Sequence, residues 1–285
     1  MSGITAHSLT LPARDGYPLA ATLHRSAQTS NNVVLVNSGT GIRRSYYHQF
    51  ASFLAENNFA TLTFDYRGIG ESRPQTLRGF SASMRAWAQQ DMAGAAQWCA
   101  RELRPEKFFL VGHSAGGQLV GLAGINHLVH GLVLVAAQSG YWRHWPPLTR
   151  YRYAALWHMM PLIAGAWGYL PGKLGIGEDL PRGVACEWAK WCRHPEYLFG
   201  FSHAYELQHY QNFSAPLLAY SFWDDGYAPK RAVEALLREY SSTAITHKHL
   251  TPSTSPSARI GHFGFFREQF RASLWQEVLA WLRQH

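Results

Sequence analysis

The stretch Phe108-Phe109-Leu110-Val111-Gly112-His113-Ser114-Ala115-Gly116-Gly117 decides how the rest of the chain reads. Four apolar residues in a row, with no alternation, indicate a strand buried on both faces. A turn of small residues around one serine follows, and Gly117 to Ile125 reads as a small-residue helix. A serine between strand and helix sits on a sharp, strained turn that is tolerated only where its neighbours lack bulk. Gly112, Ala115, Gly116 and Gly117 meet that condition. The turn lifts the Ser114 hydroxyl above the carboxyl edge of a sheet, and the N–H of Ala115, at a helix N-terminus, points to where a tetrahedral oxyanion would form.

Working outward, similar buried runs occur at Asn32 to Asn37, ending in Ser38-Gly39-Thr40-Gly41, at Phe59 to Asp65, entering the turn Tyr66-Arg67-Gly68-Ile69-Gly70, and at Gly131 to Ala137. Helical stretches from about Ser45 to Asn57 and from Met84 to Leu103 separate them. Repeated βα units imply an α/β fold, a mostly parallel central sheet flanked by helices. An antiparallel hairpin opens the chain around Asp15-Gly16. The rhythm breaks between 140 and 213, which holds six of the eleven tryptophans and much Gly and Pro. This segment is expected to be an inserted, mostly helical cap (140–213) on a core made of 1–139 and 214–285. Within it, Met159 to Leu170 reads as a buried or lid helix broken by Gly165 and Gly168. The rhythm resumes with a strand at Pro216 to Phe222, a helix at Lys230 to Glu239, a last strand at Ile245 to Leu250 and an amphipathic helix from Arg267 to Arg283.

A serine hydroxyl is a poor nucleophile until a base takes its proton, and a carboxylate must hold that base in one tautomer. The acid should follow a later strand, which points to Asp224-Asp225, with Asp225 preferred for its spacing to Pro229. The base should come last, which points to His262 in Gly261-His262-Phe263-Gly264, just before the closing helix. The order Ser114, Asp225, His262 is the one this sheet topology calls for. His113, beside the serine, reads as packing.

These residues together resemble the serine-nucleophile enzymes of the α/β-hydrolase fold. The elbow GHSAGG, the acid segment from Asp225 to Pro229, the GHF histidine and the DYRGIGES turn carry the resemblance, and the cap segment GIGEDLPRGVACEW is similar to a group of bacterial predicted hydrolases. The resemblance implies a second oxyanion N–H from the loop after the first parallel strand, with Thr40 first choice and Gly41 second. Many relatives carry His-Gly where this chain has Ser38-Gly39, and Gly where it has Phe222. The implied activity is cleavage of a carboxylic ester or thioester of a small, largely apolar substrate through an acyl-enzyme on Ser114. Acyl transfer, aminopeptidase-like chemistry on the same triad and a non-catalytic ligand-binding role stay open. Substrate contacts are expected from Gly41, Trp142, Trp145, Trp157 and Trp188.

Composition bounds the rest. At 285 residues, 47% hydrophobic and 15% charged, the chain is too apolar for disorder. Three cysteines suit a reducing compartment rather than a disulfide framework. The net charge of +8 comes from basic residues scattered singly or in pairs, not from a phosphate-tracking stripe, so no nucleic-acid partner is expected. His247 and His249 alternate on a strand with no third ligand, so no metal is expected, nor any organic cofactor. With no leader and no long apolar run, a cytoplasmic enzyme acting on a small molecule is expected, with a homo-oligomer left open.

Overall fold

The computed structural model describes residues 3–27, 31–175, 177–255 and 259–285. Ten strands occur among them: β1 (Ile4–Pro12), β2 (Pro18–Ser26), β3 (Asn32–Asn37), β4 (Phe59–Phe64), β5 (Lys107–His113), β6 (Gly131–Val135), the short β7 (Tyr169–Leu170) and β8 (Leu180–Pro181), β9 (Leu217–Phe222) and β10 (Ile245–Leu250). Eight form one sheet in the order β1-β2-β4-β3-β5-β6-β9-β10. β1 and β2 pair antiparallel, with Pro12 opposite Pro18 across the Asp15-Gly16 turn, and β2 runs antiparallel to β4. Every other pairing in the large sheet is parallel.

The non-alternating runs behave as their composition requires. All residues of β4, β6 and β9 are buried, because helices cover both faces of a parallel sheet. The helices His48–Glu56 and Leu274–Gln284 meet through Phe50 and Trp275, whose rings lie 5.4 Å apart. Since β3, β5, β6 and β9 are parallel, the loops that follow them gather at one edge. The strand order reverses around β3, and ligands of open α/β sheets bind in the crevice at such a point.

The DYRGIGES turn is fixed by two buried arginines. Arg67 forks between Asp15 (2.7 Å) and Asp91 (2.6 Å), and Arg44 joins Asp65 to Glu71.

Four local expectations need correction. The helix after Ser114 is only Ala115–Gln118 followed by a 3-10 turn at Val120–Leu122. A Cβ at Gly121 would lie 2.4 Å from the Tyr210 ring, so Tyr210 packs on a bare backbone there, and its hydroxyl bonds the Gln118 carbonyl. The closing helix begins at Leu274 rather than Arg267, since Gly264–Phe266 and Glu268–Phe270 form 3-10 turns whose Phe265 carbonyl accepts from Trp275 Nε1 at 2.7 Å. Gly165 does not break the helix Pro147–Trp167, which ends at Gly168 in the left-handed conformation (φ 82°). Finally, β7 and β8 form a small antiparallel pair within 140–213, where no strand was expected.

Between β6 and β9 the described residues add no strand to the large sheet. Their two longest helices, Pro147–Trp167 and Arg182–Arg193, meet through Trp157 and Trp188, with rings 4.9 Å apart.

Candidate active site

Ser114 follows β5 with φ 50° and ψ −120°, a conformation costly for any residue with a side chain. The surroundings leave room for nothing larger than glycine on either side. A Cβ at Gly112 would fall 2.5 Å from Gly117 Cα, and one at Gly116 would fall 2.2 Å from the Asn37 carbonyl oxygen. The strained turn is therefore held by β3 and its own helix, and the serine N–H is tied to the Val135 carbonyl at 2.9 Å.

Three loops at the sheet edge bring Ser114, Asp225 and His262 together, although 148 residues separate the serine from the histidine. Ser114 Oγ lies 3.0 Å from His262 Nε2, and His262 Nδ1 lies 2.8 Å from Asp225 Oδ2. All three residues are less than a tenth exposed. The carboxylate accepts from His262 on one oxygen, so Nδ1 carries the hydrogen and Nε2 is free to accept from the serine hydroxyl. Its other oxygen accepts from the N–H groups of Tyr227 (2.8 Å) and Ala228 (2.9 Å), which fixes its rotation. Asp224 is turned elsewhere: it accepts from the N–H groups of Ile260 (2.9 Å) and Gly261 (3.0 Å) and so pins the loop carrying His262.

His113 does more than fill space. Its Nε2 lies 2.9 Å from the His262 carbonyl oxygen, which only accepts, so Nε2 carries the hydrogen and Nδ1 is an acceptor. The Tyr47 hydroxyl, 2.7 Å away, must then donate to Nδ1, and the Gly39 N–H donates to the Tyr47 oxygen at 2.9 Å. One directed chain of bonds thus joins the β3 loop to the His262 backbone. Tyr47 and His113 are fully buried, and burial pushes the His113 imidazole down to about 3, so it stays neutral. Here Gly39, in a chain lacking the His-Gly pair, takes its anchor from Tyr47.

The loop after β3 has a second clamp. The Glu178 N–H donates to the Gly41 carbonyl (2.9 Å), while its carboxylate takes Arg43 Nε (2.7 Å) and the Gly70 N–H (3.1 Å). Glu178 thereby fastens its part of the chain to the loop holding Thr40. Among the described residues no acceptor meets the N–H of Thr40 or of Ala115, which leaves both donors available beside Ser114.

A cavity of about 110 Å³ opens over the serine, walled by Thr40, Ser114, His262, Trp145, Trp157 and Trp188. Three of the four tryptophans expected at the site are therefore at the wall. Trp142 is not: its ring carries the Arg143 guanidinium at 5.0 Å. Gly41 is not at the wall either, its carbonyl being engaged by Glu178. Sequence reasoning missed Tyr153, Leu156, Gln138, Tyr227 and Phe263, which also line it. Phe263 follows His262 directly and Tyr227 lies two residues past Asp225, and that closeness in sequence is the signal that would have found them.

His247 Nε2 and His249 Nδ1 each lie 2.8 Å from Ser221 Oγ. Among the described residues no cluster of three His, Cys, Asp or Glu is placed to hold a metal, the three cysteines are free thiols, and no helix is long and apolar enough to cross a membrane.

Comparison with known proteins bears on this geometry. Residues 28–173 match the family model described as serine aminopeptidase, S33. No curated protein matches the chain. Among solved structures, an esterase from Exiguobacterium antarcticum is 17% identical with a TM-score of 0.63, covering 97% of this chain and 100% of that one. A Pyrococcus furiosus esterase is 13% identical with a TM-score of 0.62, covering 99% and 93%. A thermophilic esterase from Thermogutta terrifontis is 19% identical with a TM-score of 0.59, covering 98% of both chains. At these identities the likeness is one of fold, the α/β-hydrolase fold.

Proposed function

The chain belongs to the serine aminopeptidase, S33, family, and from that premise we propose that it is a serine hydrolase cleaving a carboxylic ester or thioester of a small, largely apolar substrate. Ser114 Oγ attacks the carbonyl carbon as its proton passes to His262 Nε2, and Asp225 orients the imidazole and stabilises the imidazolium. The N–H groups of Ala115 and Thr40 hold the oxyanion. His262 returns the proton to the leaving oxygen or sulfur, and water, activated by the same histidine, releases the acid. The observation that carries this reading is the unbroken series of contacts Ser114 Oγ to His262 Nε2 (3.0 Å) and His262 Nδ1 to Asp225 (2.8 Å) beneath an apolar cavity.

Residues 140–213 act, in this reading, as the cap that sets substrate choice. The cavity of about 110 Å³ is small beside the ~300–1,000 Å³ of common ligand sites, which favours short acyl groups. An aminopeptidase needs an anion to hold the substrate's ammonium group. None of the described residues lining the cavity is a carboxylate, which favours ester over N-terminal peptide cleavage.

The test is a series of p-nitrophenyl esters from acetyl to dodecanoyl, with leucine p-nitroanilide alongside. Turnover should peak at short acyl chains and be absent for the anilide. A preference for the anilide, or for dodecanoyl over butyryl, would overturn this substrate assignment.

A further inference from the structure

Beside the cavity, and sharing Trp145, Tyr153 and Tyr227 with it as a common wall, lies a larger groove of about 780 Å³. One bank is the helix Pro147–Trp167 and the other is the loop from β9 to the helix at Lys230. Two cations line it, Arg152 and Lys230, along with His249. Its single carboxylate is Asp225, whose oxygens are committed to His262 and to two backbone N–H groups. Arg152 has no carboxylate partner among the described residues. Lys230 meets only Glu234, at 3.7 Å with both side chains about half exposed, a geometry worth little.

Composition explains why the groove keeps its positive sign. From Lys107 to Gly177 the chain contains no aspartate or glutamate, while Arg143, Arg150, Arg152 and Lys173 fall in the roof portion of that span. The overall charge of +8 is thus not evenly spread. Two cations lining one groove with low-dielectric aromatic walls, Arg152 without a carboxylate partner among the described residues and Lys230 only loosely paired, concentrate anions at that spot.

We propose that this groove is the subsite for an anionic group on the substrate, a carboxylate, sulfonate or phosphate carried on the part of the ester that lies outside the buried cavity. The inference rests on the hydrolase reading above and narrows it: the natural substrate is amphiphilic, with a small apolar end over Ser114 and an anionic end between Arg152 and Lys230.

Two measurements test it. The first compares phenyl butyrate, 4-sulfophenyl butyrate and the monophenyl ester of glutaric acid in the native enzyme, in Arg152→Glu/Lys230→Glu and in Arg101→Glu/Arg283→Glu, whose changes lie on helices that do not line the groove. The ratio of kcat/KM for one charged ester over the neutral one should fall about tenfold in the groove variant only, and the native preference should shrink as salt rises. Which charged ester responds assigns the groove to the leaving group or to the acyl group. The second measurement needs no turnover: equilibrium binding of 8-anilinonaphthalene-1-sulfonate against uncharged N-phenyl-1-naphthylamine. The groove variant should lose affinity for the sulfonate about tenfold relative to the amine. Unchanged ratios in both measurements, or equal changes in the two double variants, would overturn the proposal. A shifted dye ratio in a protein that hydrolyses no ester would keep the anion site and defeat the hydrolase reading instead.

Discussion

Below the cavity, carboxylates and imidazoles are closed into directed hydrogen bonds; above it, the wall is built of aromatic rings packed on one another. Asp225 satisfies three donors, His113 uses both ring nitrogens, and Asp224 ties down two backbone N–H groups. In the 140–213 segment, Trp157 Nε1 is buried with no acceptor among the described residues, and Leu148 and Leu162 on the same helix are 91% and 65% exposed. A buried network tolerates few substitutions, because each lost partner strands another group at about 1–3 kcal/mol. Apolar packing around a cavity tolerates many. On the proposed mechanism, the floor holds the groups that must stay fixed and the roof holds the contacts that can differ between enzymes of one fold.

That contrast makes graded predictions. The largest effect belongs to the floor: Asp225→Asn should keep the fold and lower kcat by roughly 10⁴, with KM nearly unchanged, because His262 would take the wrong tautomer. Steady-state kinetics on p-nitrophenyl butyrate would reveal it, and a loss confined to KM would erase the distinction between floor and roof. In the roof, Trp157→Ala should lower kcat/KM for the butyryl ester only about tenfold, while moving the preferred acyl group to longer chains. A kcat loss as deep as that of Asp225→Asn would mean the roof takes part in the chemistry.

The smallest effect is on stability. Burial pushes His113 down to about 3 and His24 and His144 to about 4, from an unfolded value near 6.5. Between those limits the unfolded chain binds more protons, so stability is fully present above pH 6.5 and is lost as pH falls. His113→Gln removes one such proton. Its stability should decline with acid less steeply, by up to about 1.4 kcal/mol per pH unit, in urea titrations from pH 7 to 4. Parallel curves for the two proteins would mean that His113 is not held neutral.

The same contrast explains what was legible in the chain. Ser114, Asp225 and His262 could be read because each stands in a loop that follows a strand, directly for Ser114 and Asp225 and at a distance for His262, so local pattern and fold order located them. The choice between Asp224 and Asp225 rested on a proline spacing, and the structure separates them by partners, one facing His262 and the other the Ile260-Gly261 backbone. The Tyr47–His113 chain was not legible, since it depends on 66 residues of separation closing to 2.7 Å. Neither was the early end of the helix after Ser114, where Gly121 in the following 3-10 turn is met by Tyr210 from far along the chain. In the roof, Trp142 and Trp145 look alike in sequence, three residues apart. One lies before the helix entrance and holds Arg143, and the other donates its indole N–H to the Gly226 carbonyl at 2.8 Å beside the acid. That Arg152 and Lys230 line one groove was hidden in the same way, because scattered charges acquire a common field only once the chain is folded.

The central claim is that the strained serine after β5 is the nucleophile. Intact-mass and peptide mass spectrometry after treatment with a fluorophosphonate test it most directly. The native protein should gain one adduct, mapped to Ser114, while Ser114→Ala gains none. An adduct on another residue, equal labelling of both proteins, or no labelling of folded native protein would contradict the account.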